Sequence, residues 1–142
     1  MLCEQIMKRD IEAVTPWDNL RTAARKMRAR GVGFLPVVDE EAHPIGAITD
    51  RDLTVRAVAE DHRPAQTRVR EIMSGHPLTC GVRDDLRIAE ERMVERHKSR
   101  IMCVNEDGAL VGVISLADIA EREEGALALQ LLREVSRHTS DA

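Results

Sequence analysis

The sequence predicts a mixed α/β (α+β) fold: two β-α-β-β-α units packed with pseudo-two-fold symmetry, followed by an amphipathic C-terminal helix. Three observations lead there. The 142-residue chain matches itself without a gap when shifted by 66 residues. In each copy the apolar spacing passes between helical and strand-like in the same order. Hydrophobic residues make up 43% of the chain, yet it holds one Trp, one Phe and no Tyr. The core is therefore aliphatic, and one copy is too small to bury a sheet face alone, so the two are expected to share it.

The internal match is specific. Ile6-Met7 falls on Ile72-Met73, Asp18 on Asp84, Leu20-Arg21 on Leu86-Arg87, Ala23 on Ala89 and Met27 on Met93. Farther on, Val38 meets Val104, Gly46 meets Gly112, Ile48 meets Ile114, Asp52 meets Asp118 and Arg56 meets Arg122. This register divides the chain into a first unit at 1–60, a connector at 61–68, a second unit at 69–124, and a helix with its tail at 125–142.

In the first unit Thr15 is placed to cap a helix, Pro16 to open it and Asp18 to complete a capping box. Leu20, Ala23, Ala24 and Met27 recur at helical spacing, and Gly31 and Gly33 stop the helix. Residues 34–38 read as a short apolar strand, 39–44 as a turn and 45–48 as a second strand. Thr49 opens a second helix that runs to about Ala59. The second unit repeats this, with a helix at 82–96, strands at 101–104 and 110–114, a tight turn at Asp107-Gly108, and a helix from Ser115. Short stretches around Val14 and Thr79 supply a further strand ahead of each first helix.

Charge and composition exclude several classes. With 21 Lys and Arg against 25 Asp and Glu, the net charge is −4, which argues against a general affinity for DNA or anionic membrane. Base-stacking platforms are nearly absent. Basic clusters at Arg25, Lys26, Arg28 and Arg30, and at Arg92, Arg96, His97, Lys98 and Arg100, read as solvated helix faces. Three cysteines, an odd number with no CxxC, suggest a reducing cytoplasm rather than a disulfide framework. No apolar run approaches a membrane span, and the N-terminus has no apolar signal core, so a cytoplasmic location is expected.

Two stretches stand out at the same offset: Gly46-Ala47-Ile48-Thr49-Asp50-Arg51-Asp52 and Gly112-Val113-Ile114-Ser115-Leu116-Ala117-Asp118. With Leu35-Pro36-Val37-Val38-Asp39, and Ile72-Met73 followed by Pro77-Leu78-Thr79, they resemble paired cystathionine β-synthase (CBS) domains, the Bateman module. The resemblance covers roughly residues 3 to 122. It implies a sensor of adenosine-containing ligands: AMP, ADP, ATP, or sometimes S-adenosylmethionine or a dinucleotide. In the family the ligand lies in a cleft between the two units, and the Thr or Ser hydroxyl and the Asp carboxylate hold ribose and phosphate. Basic residues near the start of the middle strand often meet phosphate there. That makes Arg100 the preferred phosphate contact and Arg51 the next.

The signature also has a chemistry of its own. A strand delivers the chain to Thr49 or Ser115, and a helix begins there. Asp52 and Asp118 follow three residues on, and a carboxylate accepts from two adjacent hydroxyls such as a ribose diol. Free N–H groups at a helix start suit phosphate. Gly46 and Gly112 let the backbone approach another group closely. The same Thr-x-x-Asp and Ser-x-x-Asp spacings also make a capping box, which needs no ligand. Adenine would rest against Ala13 and Val14 in the first unit, and Thr79 and Cys80 in the second.

Cys80 and Cys103 align with Val14 and Val37, which reads as small buried hydrophobes rather than nucleophiles. The histidines show no metal-ligand spacing and no glycine-rich phosphate loop occurs, so neither a metal nor a required cofactor is expected. In the tail, Leu127, Leu131 and Val135 form an apolar stripe, suited either to packing on the chain or to a homodimer contact. The resulting expectation is a non-catalytic regulatory module with an adenine nucleotide as ligand, a homodimer, and an effector protein as partner, without membrane or nucleic acid. A protein-interaction adaptor with vestigial ligand sites is the alternative, and an enzyme the least supported.

Overall fold

The computed structural model describes residues 1–122, 130 and 133–136. It divides into two compact units. The first is Glu12–Pro77; the second joins Met1–Ile11 to the chain from Leu78 onward. The first unit contains α1 (Leu20–Arg30), β1 (Phe34–Val38), β2 (Pro44–Thr49), α2 (Asp50–Asp52) and α3 (Val69–Ile72). The second contains a 3-10 turn at Cys3–Gln5, β3 (Thr79–Gly81), α4 (Leu86–Arg96), β4 (Arg100–Val104), β5 (Leu110–Ser115) and α5 (Leu116–Arg122). β1 and β2 pair antiparallel, as do β4 and β5, and β3 lies parallel to β4. Val14 makes the matching parallel bridge to Val37.

The strands arise where the sequence places them, but both first helices start later. Thr15 and Asp18 do form a box-like bond, with Thr15 N–H donating to Asp18 Oδ2 at 2.9 Å. It closes a turn, not a helix: α1 begins at Leu20, where Asn19 accepts from Thr22 N–H. Gly81 and Asp84 make the same turn, and α4 begins at Leu86 with Asp85 as its cap. A short polar side chain bonded to the backbone three residues away suits a turn as well as a helix start. The second helix of the first unit also departs from a regular α-helix. After Asp52 it continues as a π-helical stretch, Leu53–Val58, with Ala59 N–H donating to Thr54 O and His62 N–H to Ala57 O. Thr54 Oγ1 takes Asp50 O at 3.1 Å, a competitor for the α-helical ladder, where the second unit has Ala120.

The compact units are not the sequence repeats. The segment leading the first repeat packs on the second unit, and the segment leading the second repeat packs on the first. Lys8 and Val113 exchange backbone hydrogen bonds of 2.9 and 3.0 Å. Their matched residues, Ser74 and Ala47, exchange bonds of 2.9 and 3.0 Å. Ile6 and Met7 thus enter the core of the second unit, and Ile72 and Met73 that of the first. The leading segment supplies the cover that a lone β-hairpin lacks, so each unit has a core of its own. In the tail, Gln130 and 133–136 are helical, and Val135 is buried in the second core. Ala126, Leu127, Ala128, Leu131, Leu132 and Arg137 of the expected apolar helix lie outside the described residues.

The three cysteines meet in that core. Cys80 Sγ lies 3.7 Å from Cys3 Sγ and 3.6 Å from Cys103 Sγ, all three buried. Their matched residues in the first unit are Val69, Val14 and Val37, also buried. The cluster stands where the first unit has three buried valines, in line with free cysteine acting as a small hydrophobe. Hydrogen bonding to Cys80, then burial, pushes the Cys3 thiol far up. Cys80 is pushed up to about 12, chiefly by its bond with Cys103. A thiol raised in the folded state stabilises fully below its unfolded value near 9 and loses that contribution as pH rises toward the folded one. We expect stability lost between about pH 9 and 12 to be smaller in the Cys3→Val/Cys80→Val/Cys103→Val variant, measured by urea unfolding against pH.

Two left-handed backbone positions are also matched. Gly31 and His97, at φ 64° and 53°, end α1 and α4. Ala42 and Gly108, at φ 65° and 80°, close the two hairpin turns. Each pair has glycine in only one unit, and a Cβ in this region costs about 1–2 kcal/mol, partly offset by the freedom glycine adds to the unfolded chain. Ala42→Gly and His97→Gly should each stabilise by about 0.5–1 kcal/mol, a rise of a few degrees in melting temperature by calorimetry.

Candidate functional site

Each signature sits where a hairpin strand hands over to a helix. In the first unit Thr49 N–H donates to Asp52 Oδ2 at 2.9 Å, and Asp52 N–H donates to Thr49 Oγ1 at 3.1 Å. Ser115 and Asp118 repeat this at 2.8 and 3.1 Å. Both are reciprocal capping boxes, complete without any ligand. In each, one carboxylate oxygen is taken by the box and Oδ1 lies outside it.

Cations stand at both Oδ1 atoms. Lys8 Nζ is 3.3 Å from Asp118 Oδ1, and Arg56 Nε is 3.9 Å from Asp52 Oδ1. The Asp118 side chain is 8% exposed and that of Lys8 73%. Arg56 is tethered, its Nη1 donating to Ile72 O at 3.0 Å. Neither cation was singled out from sequence. Arg56 carried a weak signal, being matched by Arg122; Lys8 carried none, because its matched residue is Ser74.

The other candidates divide. Arg51 and Arg100 are exposed, with Arg100 Nη1 donating to Ser99 Oγ at 3.2 Å. Ala13 and Thr79 are half-buried, and their carbonyls accept from Lys26 Nζ at 2.8 Å and Arg92 Nη1 at 2.7 Å, a second matched pair of contacts. Val14 and Cys80 are 1% exposed and lie in the two cores. Val14 N–H donates to Pro36 O and Val14 O accepts from Val38 N–H, so its backbone is engaged as well. The lone tryptophan is Trp17. It lines a concavity of about 310 Å³ with Asp39, Glu40 and Glu41, and the Arg70 guanidinium stands 4.5 Å from its ring centre.

Comparison with known proteins gives the family and the fold. The model of the CBS domain matches twice, at residues 3–58 and 69–125. The chain belongs to the CBS domain family. An uncharacterised protein of Methanopyrus kandleri, MK0525, is 32% identical over 121 residues, covering 84% of this chain; the chain spans 61% of that protein's length. The CBS domain protein PAE2072 of Pyrobaculum aerophilum, solved in complex with AMP, superposes with a TM-score of 0.78 at 24% identity, over 94% of this chain and 99% of that one. The CBS domain pair of protein MJ0100, solved with 5'-methylthioadenosine and S-adenosylmethionine, gives 0.72 at 22%, over 86% and 94%. At these identities the two structures establish the CBS-pair fold. Among the described residues no helix is long and apolar enough to cross a membrane.

The signature glycines have a defined structural duty. A Cβ on Gly112 would lie 2.6 Å from Met7 Sδ and 3.1 Å from Lys8 O. A Cβ on Gly46 would strike the Ser74 carbonyl oxygen, with Met73 Sδ at 3.2 Å. The close approach expected at these glycines is thus to the leading segments. Gly46→Ala meets backbone and should cost about 1–3 kcal/mol; Gly112→Ala meets a flexible thioether and should cost less. In double-mutant cycles by chemical unfolding, Gly112→Ala should couple to Met7→Ala, while Gly46→Ala and Met73→Ala should be closer to additive.

Proposed function

We propose that the chain is a non-catalytic regulatory module that binds an adenosine-containing ligand, AMP, ADP or ATP. The binding state is passed to a partner protein by conformational change. The observation that carries this reading is the division of labour in each signature carboxylate. Oδ2 completes the helix cap, and Oδ1 stands outside it, able to accept from a ribose hydroxyl. Capping and ligand binding are therefore compatible. The ligands in the PAE2072 and MJ0100 structures, AMP in one and S-adenosylmethionine with 5'-methylthioadenosine in the other, share an adenosine moiety and support the same ligand class.

In this reading Thr49 and Asp52, and Ser115 and Asp118, hold the ribose side. Arg51 and Arg100 serve phosphate, and the half-buried Ala13 and Thr79 back the adenine. A homodimer that passes the state to an effector protein completes the proposal, since a ligand signals only through a preference between conformations. An adaptor with vestigial sites is the second reading, favoured by the fact that both boxes are satisfied on their own.

Thermal unfolding with AMP, ADP, ATP, S-adenosylmethionine and NAD separates the two. A ligand at 100 times its dissociation constant should add about 2.7 kcal/mol of stability. Asp52→Ala or Asp118→Ala should remove that gain, beyond the roughly 1 kcal/mol each loses with its cap. No gain with any of the five favours the adaptor, and a gain indifferent to both substitutions refutes the ribose assignment.

A further inference from the structure

The two signatures share their backbone and capping bonds and differ in the cation beside the carboxylate. In the second unit that cation is a lysine from the leading segment. Lys8 is anchored through its own backbone: its N–H donates to Val113 O at 2.9 Å and its carbonyl accepts from Val113 N–H at 3.0 Å. Val113 lies two residues before Ser115 on β5, so the stem of Lys8 starts from a fixed point beside the signature. The matched residue in the first unit, Ser74, has the same backbone pairing with Ala47 but only a hydroxymethyl side chain. The cation near Asp52 is instead Arg56, whose guanidinium is tied to Ile72 O.

We infer that Lys8 makes the second signature selective for phosphorylated adenosine ligands over the bare nucleoside. The inference rests on the ribose reading above and assigns a residue that reading does not contain. Asp118 is nearly enclosed, so a carboxylate there needs a counter-charge, and Lys8 supplies it at Oδ1. The ammonium itself is largely in water, where such a pair is weak and easily exchanged. A ribose diol that takes Asp118 Oδ1 releases the ammonium. Its flexible stem then lets it pair with a phosphate on the same ligand, a charge-assisted contact stronger than the one given up. A nucleoside releases the same lysine and offers it nothing. Beside Asp52 the paired cation, Arg56, is instead tied to Ile72 O, so among the described residues this exchange belongs to Asp118.

The test is titration calorimetry of AMP and of adenosine into the full chain, following the class of sites that Asp118→Asn removes. Lys8→Met keeps the stem and both backbone bonds while removing the charge. It should weaken AMP about tenfold and leave adenosine no weaker. Lys8→Arg should restore most of the AMP affinity, and added salt should narrow the AMP-to-adenosine ratio in the unmodified chain but not in Lys8→Met. An unchanged ratio in Lys8→Met, or equal weakening of both ligands, overturns the role of Lys8 while leaving the ribose reading intact. Failure of the unmodified chain to bind either ligand overturns both together.

Discussion

The structure depends on one constraint: a two-stranded hairpin is not stable until something covers its edge and face. In both units that cover is the segment leading the other repeat, joined through one pair of backbone hydrogen bonds, Lys8 with Val113 and Ser74 with Ala47. The bonds form only if the leading backbone comes close, and it comes close only because Gly46 and Gly112 carry no side chain. The glycine of each signature is explained by this packing before any ligand is considered. Covalent order and packing order therefore differ, and the chain passes from one compact unit to the other at Ile11–Glu12 and again at Pro77–Leu78.

The same strand that receives the leading segment ends at the signature. β5 offers Val113 to Lys8 and, two residues later, Ser115 to the cap of α5. The pairing of the leading segment and the cap of α5 are thereby placed on one short stretch of chain. The cap orders the carboxylate through one hydrogen bond, from the Thr49 or Ser115 N–H to Oδ2, which reduces the side-chain entropy that a ligand would otherwise have to overcome. A signature aspartate already ordered by its cap would be a better acceptor than a free one, so the cap is compatible with the proposed binding role. Substituting the aspartate disturbs both, and any loss of binding has to be measured against the loss of the cap.

Much of the fold was legible because the repeat made two independent readings of each element. The strands and the aliphatic core, including the burial of Cys80 and Cys103 as valine equivalents, follow from pattern alone. The helix starts did not, because Thr15 with Asp18 and Gly81 with Asp84 spend their capping chemistry on turns four residues too early. The exchange of leading segments was hidden for another reason. A self-match aligns residue 6 with residue 72 but says nothing about which unit either packs on, and periodicity within a segment is the same on either partner. At the signature, the capping boxes were readable from spacing. The cations were not, since Lys8 reaches Asp118 through tertiary packing and has no counterpart in the matched position.

What remains is a nearly symmetric backbone that carries asymmetric side chains. Hairpin turns, caps, parallel bridges and even the Lys26–Ala13 and Arg92–Thr79 contacts recur at the same offset. Differences confined to the cores, such as three cysteines for three valines, conserve apolar character and burial. Differences at the signatures do not conserve chemistry. Thr49 continues into a π-helical stretch and Ser115 into a regular helix, Arg51 is matched in sequence by Ala117, and Ser74 is matched by Lys8. A frame that accepts cysteine for valine in its interior, while charged side chains are placed differently at its two signatures, has one scaffold and two environments. Under the proposed reading, a ligand common to both would meet the same backbone groups and different charged neighbours.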